Sequence, residues 1–218
     1  MSYTYLDITN DVLVRLREPR TNTVRTTQNV VENMVEALVN DAYKYVWAAH
    51  QWTATQREWK IETWPGTDTY ELSDTEHGAR ISGVLDRFGR WLDQVSMEAT
   101  AQYNIRSKRS GPAQAFAIVA TEKSPSISVK FMPANEQDNE VYTVVGHFGV
   151  TPLERDDDPV LLPYNAVMYY AYALAARERG EVGGQTVQEL FTMAQQYISD
   201  AIALEANFNS FEQSWEAV

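Results

Sequence analysis

Hydrophobic positions recur every three or four residues at both ends of the chain and every second residue in its middle. Tyr5, Ile8, Val12, Leu13 and Leu16 fall on one side of a helix predicted over about 5–17, with Thr4 and Asp7 set as a capping box and Pro19 as the stop. Val31, Met34, Val35, Leu38, Ala42, Tyr45, Val46 and Ala49 predict a longer helix over about 27–50. The period then changes to two. Trp59 and Ile61 alternate with Lys60 and Glu62, Pro65-Gly66 supplies a turn, and Tyr70 and Leu72 alternate on the return, which reads as a β-hairpin.

Residues 80–95 fit either a helical stripe or two short strands turning near Phe88-Gly89; the glycines favour strands. A short helix is expected within 96–103, and further strands over 115–120, 126–132 and 141–149, with Ile127, Val129 and Phe131 inward. Two helices close the pattern, at about 163–179 and 185–206, separated by Gly180, Gly183 and Gly184. From Asn207 onward the period is lost.

Helix, helix, β-rich middle, helix, helix predicts an α+β fold. Each terminal helix pair needs cover for its apolar stripe, so the expected architecture is a four-helix bundle with an inserted β-rich lobe. The expected organisation is 1–53 and 159–206 as the two helix pairs, 54–158 as the lobe, and 207–218 as an extended tail. With 218 residues, the chain is long enough for one sizeable core or a core with a satellite lobe.

Composition narrows the function more than it names it. The net charge of −12 disfavours a dedicated nucleic-acid-binding domain, because phosphates repel it. The charge is uneven. Arg15, Arg17, Arg20 and Arg25 lie close together; residues 80–109 hold six bases against three acids; residues 180–218 hold six acids and no Lys or Arg. A basic middle and an acidic end suit a heterologous contact between copies, with Arg15, Arg17, Arg87 and Arg90 as candidate subunit-interface residues. The absence of Cys removes disulfides, thiolate catalysis and Cys-based zinc sites. No apolar run approaches a membrane span, and residues 1–7 lack the basic-then-apolar pattern of a secretory signal.

Candidate chemistry is thin. His50, His77 and His147 are isolated from one another and do not form a ligand pair. Asp156-Asp157-Asp158 could hold a hard cation but lacks the spacing of a calcium loop. Glu58-Trp59-Lys60 on a strand is the pattern of a metal-dependent nuclease, and also of plain alternation with Trp59 inward. Gly183-Gly184 has no Lys after it, so it reads as a break and not as a phosphate loop. No catalytic residue, metal or cofactor is expected. Tyr164, Tyr169, Tyr170 and Tyr172 share one helix, where they either pack at the edge of the core or form a subunit interface. Phe208, Phe211 and Trp215 follow the last helix with no element of the chain predicted to cover them, so another chain is expected to bury them as 207–218 orders.

Four segments in this order carry a resemblance: residues 6–16 running into Glu18-Pro19; the second helix ending at His50-Gln51-Trp52; the middle run of Gly111-Pro112, Phe116-Ala117-Ile118, 127–133 and 141–144; and Leu161-Leu162-Pro163-Tyr164. Together they resemble the head-to-tail adaptors of tailed bacteriophages, the neck connectors also called tail tubular protein A. The resemblance implies a virion structural protein without enzymatic activity, assembled in the host cytoplasm. It implies a dodecameric ring in the neck, docked under the portal protein, offering its other face to a tail protein (nozzle, tube or terminator) and conducting DNA through its lumen without specific binding. It places Phe208, Phe211 and Trp215 at the portal contact. The alternatives are another structural part of such a particle (head-completion stopper, tail or baseplate component), a metal-dependent nuclease using Glu58 and Lys60, or a small-molecule binding domain.

Overall fold

A computed structural model describes residues 3–24, 29–100, 111–120, 126–133, 140–180 and 187–208. The chain divides into two compact units, one formed by Met1–Ala54 with Thr151–Val218 and the other by Thr55–Val150.

The first unit is helical. Helix α1 spans Tyr5–Arg15 and opens with a full capping box: the Asp7 N–H donates to Thr4 Oγ1 while the Thr4 N–H donates to Asp7 Oδ2. Helix α2 spans Val30–Ala49, with Asn29 Oδ1 accepting from the Val31 N–H. Helix α3 spans Tyr164–Arg179 and ends at Gly180, whose positive φ of 63° lets its N–H turn back onto the carbonyls of Ala176 and Arg177. Helix α4 spans Val187–Phe208.

These helices do not form the expected four-helix bundle. Helix α3 is the hub, packed against α1, α2 and α4, whereas α1 and α2 pack on each other and have no extended contact with α4. The reason lies in α3 itself. Ala166, Val167, Met168, Ala171, Ala173, Leu174, Ala175 and Ala176 are all buried, so it is apolar nearly all round, where a bundle helix would carry a single stripe. Small residues let neighbours approach on several sides at once. Helix α4 meets it where Leu190 packs with Ala173 and Ala176.

The described residues of the second unit form seven strands in two sheets, with a hydrophobic core of their own. Strands β1 (Gln56–Glu62), β7 (Val141–Phe148) and β3 (Ala79–Leu85) form an antiparallel sheet in the order β1-β7-β3. Strands β2 (Thr69–Glu71), β6 (Ile127–Met132), β5 (Ala115–Ala120) and β4 (Asp93–Gln94) form the other in the order β2-β6-β5-β4, the last pair parallel. Trp59, Ile61, Val84, Tyr142 and Val144 from the first sheet and Phe116, Val129 and Phe131 from the second build one buried cluster. Ile127 packs at its edge.

The hairpin expected across Pro65-Gly66 does not form. β1 pairs with β7 and β2 pairs with β6, so the turn passes the chain from one sheet to the other. The turn signal was sound, but the pairing partner was set by burial: Trp59 and Ile61 face the core from one sheet while Leu72 closes it from beside the other. The ambiguous stretch 80–95 resolves into strand β3, a turn and short strand β4. A helical turn begins at 97–100.

Candidate assembly surface

The aspartate run singled out by sequence has a structural task. Asp156 Oδ1 accepts from the Val24 N–H at 2.7 Å, and Asp158 Oδ2 accepts from the N–H groups of Glu154 and Arg155 at 2.6 and 2.8 Å. Their carbonyls accept from the first N–H groups of α1, Leu6 to Asp156 and Tyr5 to Asp158. The aspartate run thus ties loops together and covers a helix end. Glu58 and Lys60 are both exposed and Trp59 is buried, as alternation requires. His147 Nδ1 lies 3.3 Å from Thr55 Oγ1, and His50 packs edge-on against Trp52. Among the described residues no group of three or more acids and histidines could hold a metal ion, and no helix is long and apolar enough to cross a membrane.

The tyrosines of α3 brace the helical unit from within. Tyr164 donates to Asp11 Oδ2 at 2.6 Å and stacks on Tyr3 with ring centres 3.9 Å apart. Burial, and then its hydrogen bond to the Asp11 carboxylate, push its hydroxyl pKa up. Tyr170 stacks on Tyr45 of α2, and Tyr169 stacks on Tyr197 of α4. Arg15 donates to the Asp11 carbonyl and lies 5.2 Å from the Tyr169 ring centre, so it too is tied into its own chain. Arg17 is exposed, at a positive φ of 61° just past the end of α1.

Arg87 and Arg90 sit in the other unit, on a turn that Asp86 organises after β3. Asp86 Oδ1 accepts from the N–H groups of Phe88 and Arg90 at 2.8 and 2.9 Å, and Oδ2 accepts from Arg90 Nε at 2.8 Å. Desolvation opposes the effect, but these bonds and the Arg90 charge hold the carboxyl below its usual pKa. Both guanidinium groups lie over the Phe88 ring, Arg87 at 4.7 Å and Arg90 at 5.2 Å. Arg87 also reaches Glu140 Oε1 at 3.6 Å. Phe88 is 67% exposed and Trp91 62%. Trp91 packs against Gly83, where an added Cβ would stand 2.6 Å from its ring.

The strand register gathers further groups at this end of the three-stranded sheet. β1 ends at Glu62 opposite Val141, and β3 ends at Leu85 opposite Thr143. Trp64, 59% exposed, follows β1 directly, and Thr63 donates to the Glu140 carbonyl through both its N–H and its hydroxyl. Trp64, Phe88 and Trp91 therefore crown one end of the sheet with Arg87 and Arg90. Beside them a groove of about 320 Å³ is lined by Phe88, Trp91, Arg87, Glu140 and Tyr142. At its floor the buried Tyr142 hydroxyl donates to Glu140 Oε2 and accepts from the Ala113 N–H, both at 2.9 Å. Burial and the bond to Glu140 push the Tyr142 pKa up to about 12.

Of the residues expected at interfaces, the structure brings Arg87 and Arg90 together and places Arg15 and Arg17 in the other unit. Phe208 closes α4, which runs two residues into the segment expected as tail; Phe211 and Trp215 lie outside the described residues. The sequence reading missed Trp64, Phe88 and Trp91 as a surface. For Trp64 and Phe88 the available signal was position: aromatic residues next to Pro65-Gly66 and Gly89 stand beside turns.

The family model of the SU10 adaptor protein matches residues 3–213. No curated protein matches the chain.

Proposed function

The chain belongs to the SU10 adaptor protein family of bacteriophage structural adaptors, and on that premise we propose that it forms a head-to-tail ring in the virion neck. In this reading, copies close into a dodecamer that docks under the portal protein, offers its other face to a tail protein and lines the DNA channel. The net charge of −12 suits a lumen that conducts DNA without holding it.

The observation that carries the ring is the crowned end of the three-stranded sheet. Large exposed aromatic side chains beside arginines are the residue types that dominate binding energy at protein interfaces. Trp64, Phe88 and Trp91 are each more than half exposed; hydrogen bonds hold the backbone at Trp64 and Phe88, and a bridge to Leu85 holds Trp91, so little ordering is needed when a partner covers them.

The test is electron microscopy of the purified chain, alone and mixed with the portal protein of the same particle. A closed ring of copies stacked on the portal is the expected image. Chains that neither close nor bind portal in the mixture would overturn the reading.

A further inference from the structure

We infer that the aromatic end of the sheet unit is the docking site for the acidic aromatic segment 209–216 of a second copy of this chain. Four observations lead there. Phe88 and Trp91 line the groove with most of their area exposed, and Trp64 is exposed at the same end of the sheet, after β1. Arg87 and Arg90 frame the groove with side chains more than half exposed, so each guanidinium can donate to a further carboxylate beside the Glu140 or Asp86 it already meets. The segment is the chemical complement of that surface. Phe211 is followed by Glu212 and Trp215 by Glu216, and no Lys or Arg occurs anywhere beyond Arg179.

The spacing matters as well. The two aromatic–acid pairs are four residues apart, about 6 Å along a helix, so both can meet one face if the segment docks as a turn of helix. An aromatic ring of the segment would enter the groove between Phe88 and Trp91, and the neighbouring glutamate would meet Arg87 or Arg90.

A second copy is the occupant because both halves are on the same sequence with opposite charge. A closed ring requires every copy to carry a donor surface and a complementary acceptor surface. The docking rests on the ring reading, and it gives the segment a neighbour to bind where the family resemblance assigns Phe211 and Trp215 to the portal.

The experiment uses a labelled peptide of residues 205–218 and the full-length chain carrying Phe211→Ala and Trp215→Ala, so that its own segment does not compete. Fluorescence anisotropy should show saturable binding. It should weaken about tenfold or more when Phe88→Ala is added, and fall similarly for a peptide with Glu212→Lys and Glu216→Lys. Circular dichroism on the Phe88→Ala chain checks that its fold is kept; Trp64→Ala serves as the second surface variant if it is not. Absence of saturable binding, or binding indifferent to both surface variants, overturns the inference. So does a peptide that binds only to portal protein. A ring that closes on the portal while the peptide fails to bind the chain defeats this docking and leaves the ring reading standing; chains that never close defeat the ring reading itself.

Discussion

The two units use aromatic side chains in opposite ways. In the helical unit, partly exposed tyrosines are stacked in pairs between elements: Tyr3 on Tyr164, Tyr45 on Tyr170 and Tyr169 on Tyr197. In the sheet unit, Trp64, Phe88 and Trp91 stand at or beside turns with most of their area open. A stacked pair removes its own area from water and stiffens the joint between two helices. An open ring on a braced turn keeps its area for another molecule. Exposure alone would not separate these cases; whether the ring stacks on another ring of its unit does.

The comparison can be broken most forcefully at a buried ring. Trp52 is fully buried and its Nε1–H donates to the Val46 carbonyl at 2.7 Å. Trp52→Ala is expected to cost about 3–5 kcal/mol in a chemical denaturation series, the range for emptying a large core site. A cost near zero would mean this ring does not hold the helical unit together.

Next in size is Tyr142→Phe, which leaves the buried Glu140 without its hydroxyl donor and is expected to cost about 1–3 kcal/mol. The wild-type hydroxyl also sets a pH dependence. It ionises near pH 10 in an unfolded chain and at about 12 in the fold. The unfolded state therefore loses this proton first, so the contribution is whole below pH 10 and is lost as pH rises toward about 12. Denaturation midpoints across that window should fall more steeply for the wild type than for Tyr142→Phe.

Gly83→Ala addresses the shape of the exposed end. The added methyl would meet Trp91 at 2.6 Å, so the indole must move. Because the ring is exposed and can swing, the expected cost is only about 1 kcal/mol, the low end for overpacking. The fluorescence of the Trp91 region should shift, with Trp91→Phe identifying its share.

The smallest stability effect is expected at Phe88→Ala, about 0.5 kcal/mol in thermal melts, because the arginines over its ring are themselves solvent-exposed. Trp52 is needed for the fold, Phe88 for what the fold presents. A large loss of stability at Phe88 would place it among the internal braces.

The sequence made the helices legible because amphipathic periods and caps are local. Thr4 and Asp7, Asn29 and Gly180 act where local chemistry puts them, and Asp7 reaches back to Thr4 as a capping box should. It did not reveal how the helices pack, since that depends on α3 being apolar all round. Its tyrosines read equally as core-edge packing or as a subunit interface until Tyr45 and Tyr197 from other helices are found stacked on it. Strand pairing was illegible for a related reason. Turn residues announced a reversal after Glu62, but the choice between hairpin and sheet change depends on β7, some eighty residues away in sequence. The exposed end was only half legible. The charges of Arg87 and Arg90 were visible, whereas the openness of Trp64 and Trp91 depends on register at the sheet's edge.

Hydrogen exchange of the chain, free and assembled with portal, tests the central claim most directly. Residues 63–67 and 86–92 should gain protection on assembly, while amides around the stacked tyrosines Tyr45, Tyr169 and Tyr170 keep the protection they already have. Protection gained only around those tyrosines, with 63–67 and 86–92 unchanged, would contradict the claim and make the helical unit the interface.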